Sequence, residues 1–132
     1  MTTYVDRTTR YVAAVRNALQ EMGHASNAEI LNKVKAQYPA VSATTIHRVT
    51  ARLLERGEIR LAPTKRDNAM RFDDNAAPHD HFMCTVCEQL KDTMFDRSIR
   101  QQIETLVSNG CSISGDLTVT GVCKNCKRRQ QI

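Results

Sequence analysis

The stretch "SATTIHRVTARLLERGEIRLAPTKRDNAMRFD", Ser42 to Asp73, decides the fold. Ser42 is a side-chain acceptor placed just before a run with helical spacing, and Gly57 stands where that run must stop. On a wheel of about 100° per residue with Ile46 at zero, Val49, Leu53 and Leu54 fall within about 80° of it and form the buried face. Thr44, His47, Arg48 and Ala51 fall at about 100° to 200°, away from the core. Beyond Gly57, two short strand candidates, "EIRLA" (58–62) and "AMRFD" (69–73), flank the polar turn "PTKRDN" (63–68).

Upstream, Tyr11, Val12, Val15, Leu19 and Met22 make a helical stripe from Tyr11 to Met22, ended by Gly23. "SNAEILNKVKAQYP" (26–39) opens with a capping box, because Ser26 can accept from the Glu29 amide while Glu29 reaches back. Its stripe is Ile30, Leu31, Val34 and Tyr38, and Pro39 stops it. Three helices followed by a hairpin form the pattern of a winged helix-turn-helix. The outer face of the third helix is short, polar and basic, which suits a major groove. Thr44, Thr45, His47 and Arg48 are its candidate DNA contacts, with Arg52 and Arg56 on the flank where phosphates would lie, and Lys65 and Arg66 in the wing. An ordinary solvated helix face is the competing reading of the same residues.

Charge and cysteine divide the 132 residues in the same place. The formal net charge is +5; residues 1–73 hold 12 Lys and Arg against 7 Asp and Glu, whereas residues 74–132 hold 7 of each. All five cysteines lie in the second half. A basic half suggests a polyanionic partner, here double-stranded DNA. Two functional halves are expected: a DNA-binding domain over 1–73, a linker over 74–78 and a metal-binding domain over 79–132. The class is α+β. With 41% hydrophobic and 25% charged residues, no apolar run of about 18 and no signal-like N-terminal stretch, the sequence predicts a cytoplasmic protein without a membrane partner.

Cys84-x-x-Cys87 and Cys123-x-x-Cys126 are separated by 35 residues. Each pair supplies two thiolates from one tight turn, and two such turns complete a tetrahedron around Zn2+. Four thiolates close the coordination sphere, so such a site is structural and adds folding energy to a half too small for much of a core. A redox dithiol needs only one pair; an iron centre with four thiolates is the remaining alternative. Between the pairs lie a strand candidate, "QLKDTMF", a helix, "RSIRQQIETLVSNG", with Ile99, Ile103, Leu106 and Val107 on one face, and a second strand, "SGDLTVTGVC". Cys111 is left unmatched and is expected to be a buried small hydrophobe.

His79 and His81 alternate around Asp80, so on an extended segment both rings point to one side and make a natural half-site for a metal. Asp73 and Asp92 are plausible oxygen ligands, and His24 could close the set from the first half. Three imidazoles and two carboxylates neutralise a dication, leave one octahedral position open and favour Fe2+ or Mn2+ by ligand type. Local hydrogen bonding by the two histidines, with His24 a surface residue, is the plainer possibility.

Taken in order, "GHASNAEI", "TTIHRVTARLLERGEI", "RFD", "HDHFMC", the two C-x-x-C pairs and "GVCKNC" resemble the ferric-uptake-regulator family of bacterial metal-dependent repressors, from about Tyr11 to Arg129. The resemblance implies a homodimer that represses promoters when a regulatory metal is bound, with residues 79–132 as the dimerisation domain. It is closest to the peroxide-responsive branch, whose ligand pentad falls on His24, Asp73, His79, His81 and Asp92. Relatives that sense iron itself tend to carry glutamates where Asp73 and Asp92 stand. Asp80 matches one ligand of an extra metal site of some relatives, but Pro78 and Ile99 replace others. His47 occupies the place usually held by a tyrosine of the recognition helix.

That branch implies that iron-catalysed oxidation by peroxide adds oxygen to the rings of His24 and His79, which then release the metal. Manganese would support DNA binding without the reaction. The alternative within the fold is an iron, zinc or nickel uptake regulator in which metal occupancy itself is the signal. An enzyme is not expected: a zinc deaminase wants His-x-Glu beside Pro-Cys-x-x-Cys, and neither is present.

Overall fold

The computed structural model describes residues 7–108 and 110–130; expectations that touch residues 1–6, 109, 131 and 132 lie outside them. The chain divides into two compact units, Met1–Ala77 and Pro78–Ile132.

In the first unit the order is α1 (Arg7–Met22), β1 (His24–Ser26), α2 (Asn27–Lys35), α3 (Ala43–Glu55), β2 (Arg60–Ala62) and β3 (Arg71–Asp73). Helix α1 starts four residues before the apolar stripe, because the stripe marks where packing begins and nothing in the preceding polar turn breaks a helix. At the start of α2 the capping box forms as expected: the Glu29 amide donates to Ser26 Oγ, and the Ser26 amide donates to Glu29 Oε1 at 3.1 Å. Partial burial pushes the Glu29 carboxyl up, but the Ser26 hydrogen bonds and the Lys65 ammonium outweigh it and hold it below its ordinary value. Helix α3 ends in a Schellman motif, with Glu58 N donating to Leu53 O, Gly57 N to Leu54 O, and Gly57 at φ +72°.

The core of this unit is apolar and continuous. Val15, Leu19, Ile30, Ile46, Val49 and Leu53 are buried, with Ala25, Ile59 and Phe72 closing it from the strands. Each fully buried aliphatic side chain contributes about 1.5–3 kcal/mol, so the unit has a hydrophobic basis for its fold. The hairpin β2–β3 is joined by a strand that the sequence did not signal: β1 lies on the other edge of β3, giving the order β1-β3-β2, all antiparallel. The result is a winged helix. Asn75 N donates to Asp73 Oδ1, Ala77 N to Asn75 Oδ1 and Arg60 Nη1 to Ala77 O, so the segment after β3 is tied down as far as Ala77.

The second unit runs β4 (Asp80–Cys84), β5 (Leu90–Thr93), α4 (Arg97–Val107), β6 (Thr118–Gly121) and α5 (Lys124–Gln130). Its sheet has β4 in the centre, antiparallel to β5 and parallel to β6. The buried apolar cluster of this unit consists of Cys84, Cys123 and Cys126, with Phe82 and Val122 packed on it. Sulfur takes the place of a hydrocarbon core. Helix α4 has its apolar stripe as expected, but no residue of α4 is buried; Leu106 is 85% and Val107 67% exposed. Cys111 also departs from expectation: it is exposed, because it follows the end of α4 in an irregular segment that runs over the surface.

Candidate metal centres

The parallel register of β4 and β6 sets Cys84 opposite Gly121, which brings the two C-x-x-C turns together. Cys84 ends β4, Cys87 follows one tight turn later, Cys123 follows β6 and Cys126 lies in the first turn of α5. Glu88, at φ +65°, closes the first turn by donating its amide to Cys84 O. The four sulfurs lie within 4.8 Å of one another, and Cys87 Sγ stands 3.8 Å from Cys123 Sγ. Zinc–thiolate bonds of about 2.3 Å give a tetrahedron with edges of about 3.8 Å. The donor set and its spacing fit a closed, structural zinc site.

The backbone prepares these sulfurs to ionise. The amides of Cys87, Cys123 and Val86 all donate to Cys84 Sγ, at 3.4–3.5 Å, and bring its thiol down to about 6 against the burial that opposes ionisation. The Cys126 amide and sulfur act on Cys123 in the same direction. Cys126 goes the other way, to about 12, because the Cys123 sulfur and burial both disfavour a further negative charge there. Four adjacent thiolates are therefore untenable without a cation among them, which is the electrostatic argument for the metal.

The histidines and aspartates form two small constellations, one in each unit. In the first, His24 on β1 and Asp73 on β3 are directly opposed Cα partners, and His24 Nε2 stands 3.4 Å from Asp73 Oδ2. Asp73 is buried, and its Oδ1 accepts from Asn75 N, which fixes the carboxylate plane. In the second, His79, just before β4, and His81 on β4 lie on one side, with ring centroids 4.5 Å apart. Both Nε2 atoms converge on Asp92 Oδ1 of β5, at 3.2 and 3.4 Å, and the register pairs His81 with Asp92. Two donors held about 2.1 Å from one ion at right angles stand about 3 Å apart. Each constellation has nearly that spacing, and imidazole with carboxylate suits a divalent iron, manganese or zinc ion.

Asp80 lies between these histidines in sequence and points to the other side of β4. It is completely buried and is no free ligand. Leu117 N donates to Oδ1 at 2.8 Å, Phe95 N to Oδ2 at 2.9 Å, and Arg100 Nη2 reaches Oδ1. Burial pushes this carboxyl up, but the two amides and the Arg100 guanidinium outweigh it and hold it below the ordinary range. Sequence reasoning missed Arg100, which sits twenty residues away with no motif to mark it.

In the first unit the outward face of α3 is as the wheel placed it: Thr44, His47, Arg48, Ala51 and Arg52 are exposed and Thr45 is half-buried. In the wing, Arg66 is exposed, whereas Lys65 lies 3.6 Å from Glu29. A cleft beside the N-terminus of α3 is lined by Arg10, Tyr11, Ser42, Thr45 and Arg48; Arg10 was not singled out by the sequence, since it precedes the apolar stripe. Among the described residues no helix is long and apolar enough to cross a membrane.

The fold is shared with solved regulators. The ferric uptake regulator of Francisella tularensis with iron superposes at TM-score 0.71 with 19% identity, over 96% of this chain and 98% of that one. The Campylobacter jejuni peroxide stress regulator gives 0.65 with 20% identity over 89% and 90%. A zinc-bound manganese uptake regulator gives 0.66 with 17% identity over 92% and 91%. No curated protein sequence matches the chain. The model of the Ferric uptake regulator family matches residues 7–118, and with the winged helix, the cysteine tetrad and the histidine–aspartate constellations in place, the chain belongs to that family of metal-responsive transcription regulators and is not an enzyme.

Proposed function

We propose that the protein is a homodimeric repressor that binds operator DNA when a regulatory Fe2+ or Mn2+ ion is held by His24, Asp73, His79, His81 and Asp92, and that senses peroxide by oxidation of His24 and His79. The observation that carries this reading is the donor chemistry: two short aspartates, each within 3.2–3.4 Å of imidazole nitrogens, and no sulfur among them. Five such donors leave one octahedral position open to a small oxidant. Ferrous iron, if held there, would start the cleavage of the O–O bond. In the net reaction one peroxide oxygen would be added to a ring of His24 or His79, which is oxidised, while the other leaves as water. An oxidised imidazole is a poorer donor, so His24 and His79 would then hold the ion less well.

The rest of the chain supports a DNA-binding dimer. In this reading Thr44, Thr45, His47 and Arg48 would face bases, and Arg52, Lys65 and Arg66 would face phosphates. The exposed apolar side chains of α4, with Leu106 and Val107 foremost, suit a second copy. Ligands contributed by both units would let a bound ion fix the angle between them, which in a dimer sets the spacing of the two recognition helices against successive major grooves about 34–36 Å apart. The structural relatives include both peroxide and metal-uptake regulators, so a repressor that reports metal occupancy itself is the second reading.

One experiment separates them. The protein is loaded with iron or with manganese, treated with peroxide, and the peptides containing His24 and His79 are weighed. One added oxygen in the iron form alone, with loss of DNA binding, is expected. Unmodified peptides from the iron form with DNA binding retained would leave the uptake regulator.

A further inference from the structure

The hydrogen bonds beneath the recognition helix fix more than its position. Thr50 of α3 is buried, and its hydroxyl donates to Asn27 Oδ1 at 2.8 Å, with the Ile46 and His47 carbonyls slightly farther away. Asn27 is the first residue of α2, so its side chain bridges the two helices of the helix-turn-helix. With its oxygen taken by Thr50, the amide turns its nitrogen to His47, and Asn27 Nδ2 stands 3.3 Å from His47 Nδ1. An amide nitrogen is only a donor, so Nδ1 must accept. In a neutral imidazole the proton then sits on Nε2.

From this geometry we infer that Asn27 is a positioning residue that locks neutral His47 in the Nε2–H form, so that α3 presents a hydrogen-bond donor to acceptor atoms on a base-pair edge. The inference rests on the reading of α3 as the recognition helix and deepens it. His47 is exposed on the outward face, one turn before Ala51, so its free ring edge is the part available to DNA. Major-groove acceptors are purine N7, guanine O6 and thymine O4. An imidazole left to exchange its proton would present a donor or an acceptor and would read neither well. Thr50 and Asn27 remove that choice before DNA arrives.

The test has two independent readouts on the full-length, zinc-loaded dimer. Nitrogen NMR of the imidazoles at about pH 8, above the ordinary histidine range, with the His47 signals assigned by their loss in His47→Ala, should show the Nε2–H form in the wild type and a mixture in Asn27→Ala. The Nδ1–H form in the wild type would mean that the Asn27 amide is turned the other way, and would overturn the inference. The second readout is a double-mutant cycle of Asn27→Ala and His47→Ala, using a duplex selected from a random pool by the wild-type, manganese-loaded dimer. A coupling of about fivefold, the usual size of one net hydrogen bond, is expected on the selected duplex and none on random DNA. Additive losses would overturn the role in recognition, since a merely structural Asn27 would weaken both duplexes alike. Asn27→Asp, which can only accept, keeps the Thr50 contact and should move the ring proton to Nδ1 at about pH 9; an unchanged ring would again refute the lock. A protein that selects no sequence at all would sink the DNA reading instead, while leaving the NMR result to stand or fall by itself.

Discussion

Replacing Asp80 by asparagine should destabilise the second unit while leaving the shape of the side chain unchanged. In the wild type, Oδ1 accepts from Leu117 N and Arg100, and Oδ2 accepts from Phe95 N. An asparagine oxygen can keep the first pair, but its NH2 then confronts the Phe95 amide, donor against donor. A buried amide left without an acceptor costs about 1–3 kcal/mol. The Arg100 contact falls from charge-assisted to neutral, which removes about 1 kcal/mol more, a modest figure because the guanidinium is 23% exposed. The sum is about 2–4 kcal/mol, a large share of the 5–15 kcal/mol typical of a domain. Urea denaturation followed by zinc release to a coloured chelator reads this unit specifically. The sign with pH follows from the folded-state shift, which is downward. The ionic contribution is fully present above the ordinary aspartate value of about 3.9 and is lost only as pH falls through the lower folded value. The difference between wild type and variant should therefore be flat from neutral pH to about 4 and shrink below it. A variant within 0.5 kcal/mol of wild type at pH 7 would show that Asp80 does not hold β4 to β5, α4 and β6.

Three further outcomes are expected. Cys126→Ser should release zinc and unfold the second unit, since its buried cluster is made of cysteine sulfur; circular dichroism and metal analysis check this, and a folded zinc-free unit would contradict a structural role. Leu106→Asp should leave the single chain's stability nearly unchanged, because the side chain is 85% exposed, yet should shift sedimentation from dimer to monomer; a persistent dimer would place the interface elsewhere. Arg52→Ala should weaken binding to all DNA sequences alike and lower the slope of log affinity against log salt by about 0.9 for each lost phosphate contact. A change confined to one sequence would make Arg52 a base reader.

Most of the first unit was legible in the sequence because its signals are local. The stripe of Ile46, Val49, Leu53 and Leu54, the Ser26–Glu29 box and the Gly57 stop each act within two helical turns, and the structure has them as read. Strand β1 was not legible: three residues are too few to alternate, and it exists through pairing with Arg71–Asp73, some fifty positions away. The same cause hid the parallel β4–β6 pair and the Asp80–Arg100 bond. Helix α5 escaped because "KNCKRRQ" has one buried residue, Cys126, and so no apolar period. Ligand spacing was the exception among long-range features: C-x-x-C turns and a His-x-His strand announce geometry in themselves, and both are realised. The Cys111 expectation failed because a preference of residue type says nothing about where a particular segment runs. The amphipathic α4 was read correctly as a pattern, but no part of the described chain buries its apolar face.

If the regulatory ion works by taking donors from both units, thermodynamic reciprocity limits how large the switch can be. Donors from the second unit alone, His79, His81 and Asp92, would bind the ion in any arrangement of the units; only His24 and Asp73 would discriminate. The factor by which these two raise metal affinity is therefore the ceiling on the factor by which one ion raises DNA affinity at each site. Moving an arrangement from one part in a hundred to ninety-nine needs about 10⁴ of discrimination. His24→Ala removes one discriminating donor and leaves the second unit's three in place. Manganese affinity is measured against a competing chelator with and without DNA. The ratio of the two sets the gain in DNA affinity at each site, squared for a dimer with two such ions, and His24→Ala should lower the affinity on DNA. A variant that binds manganese as tightly as the wild type when on DNA would mean that the ion acts within the second unit, and that His24 is no part of the switch.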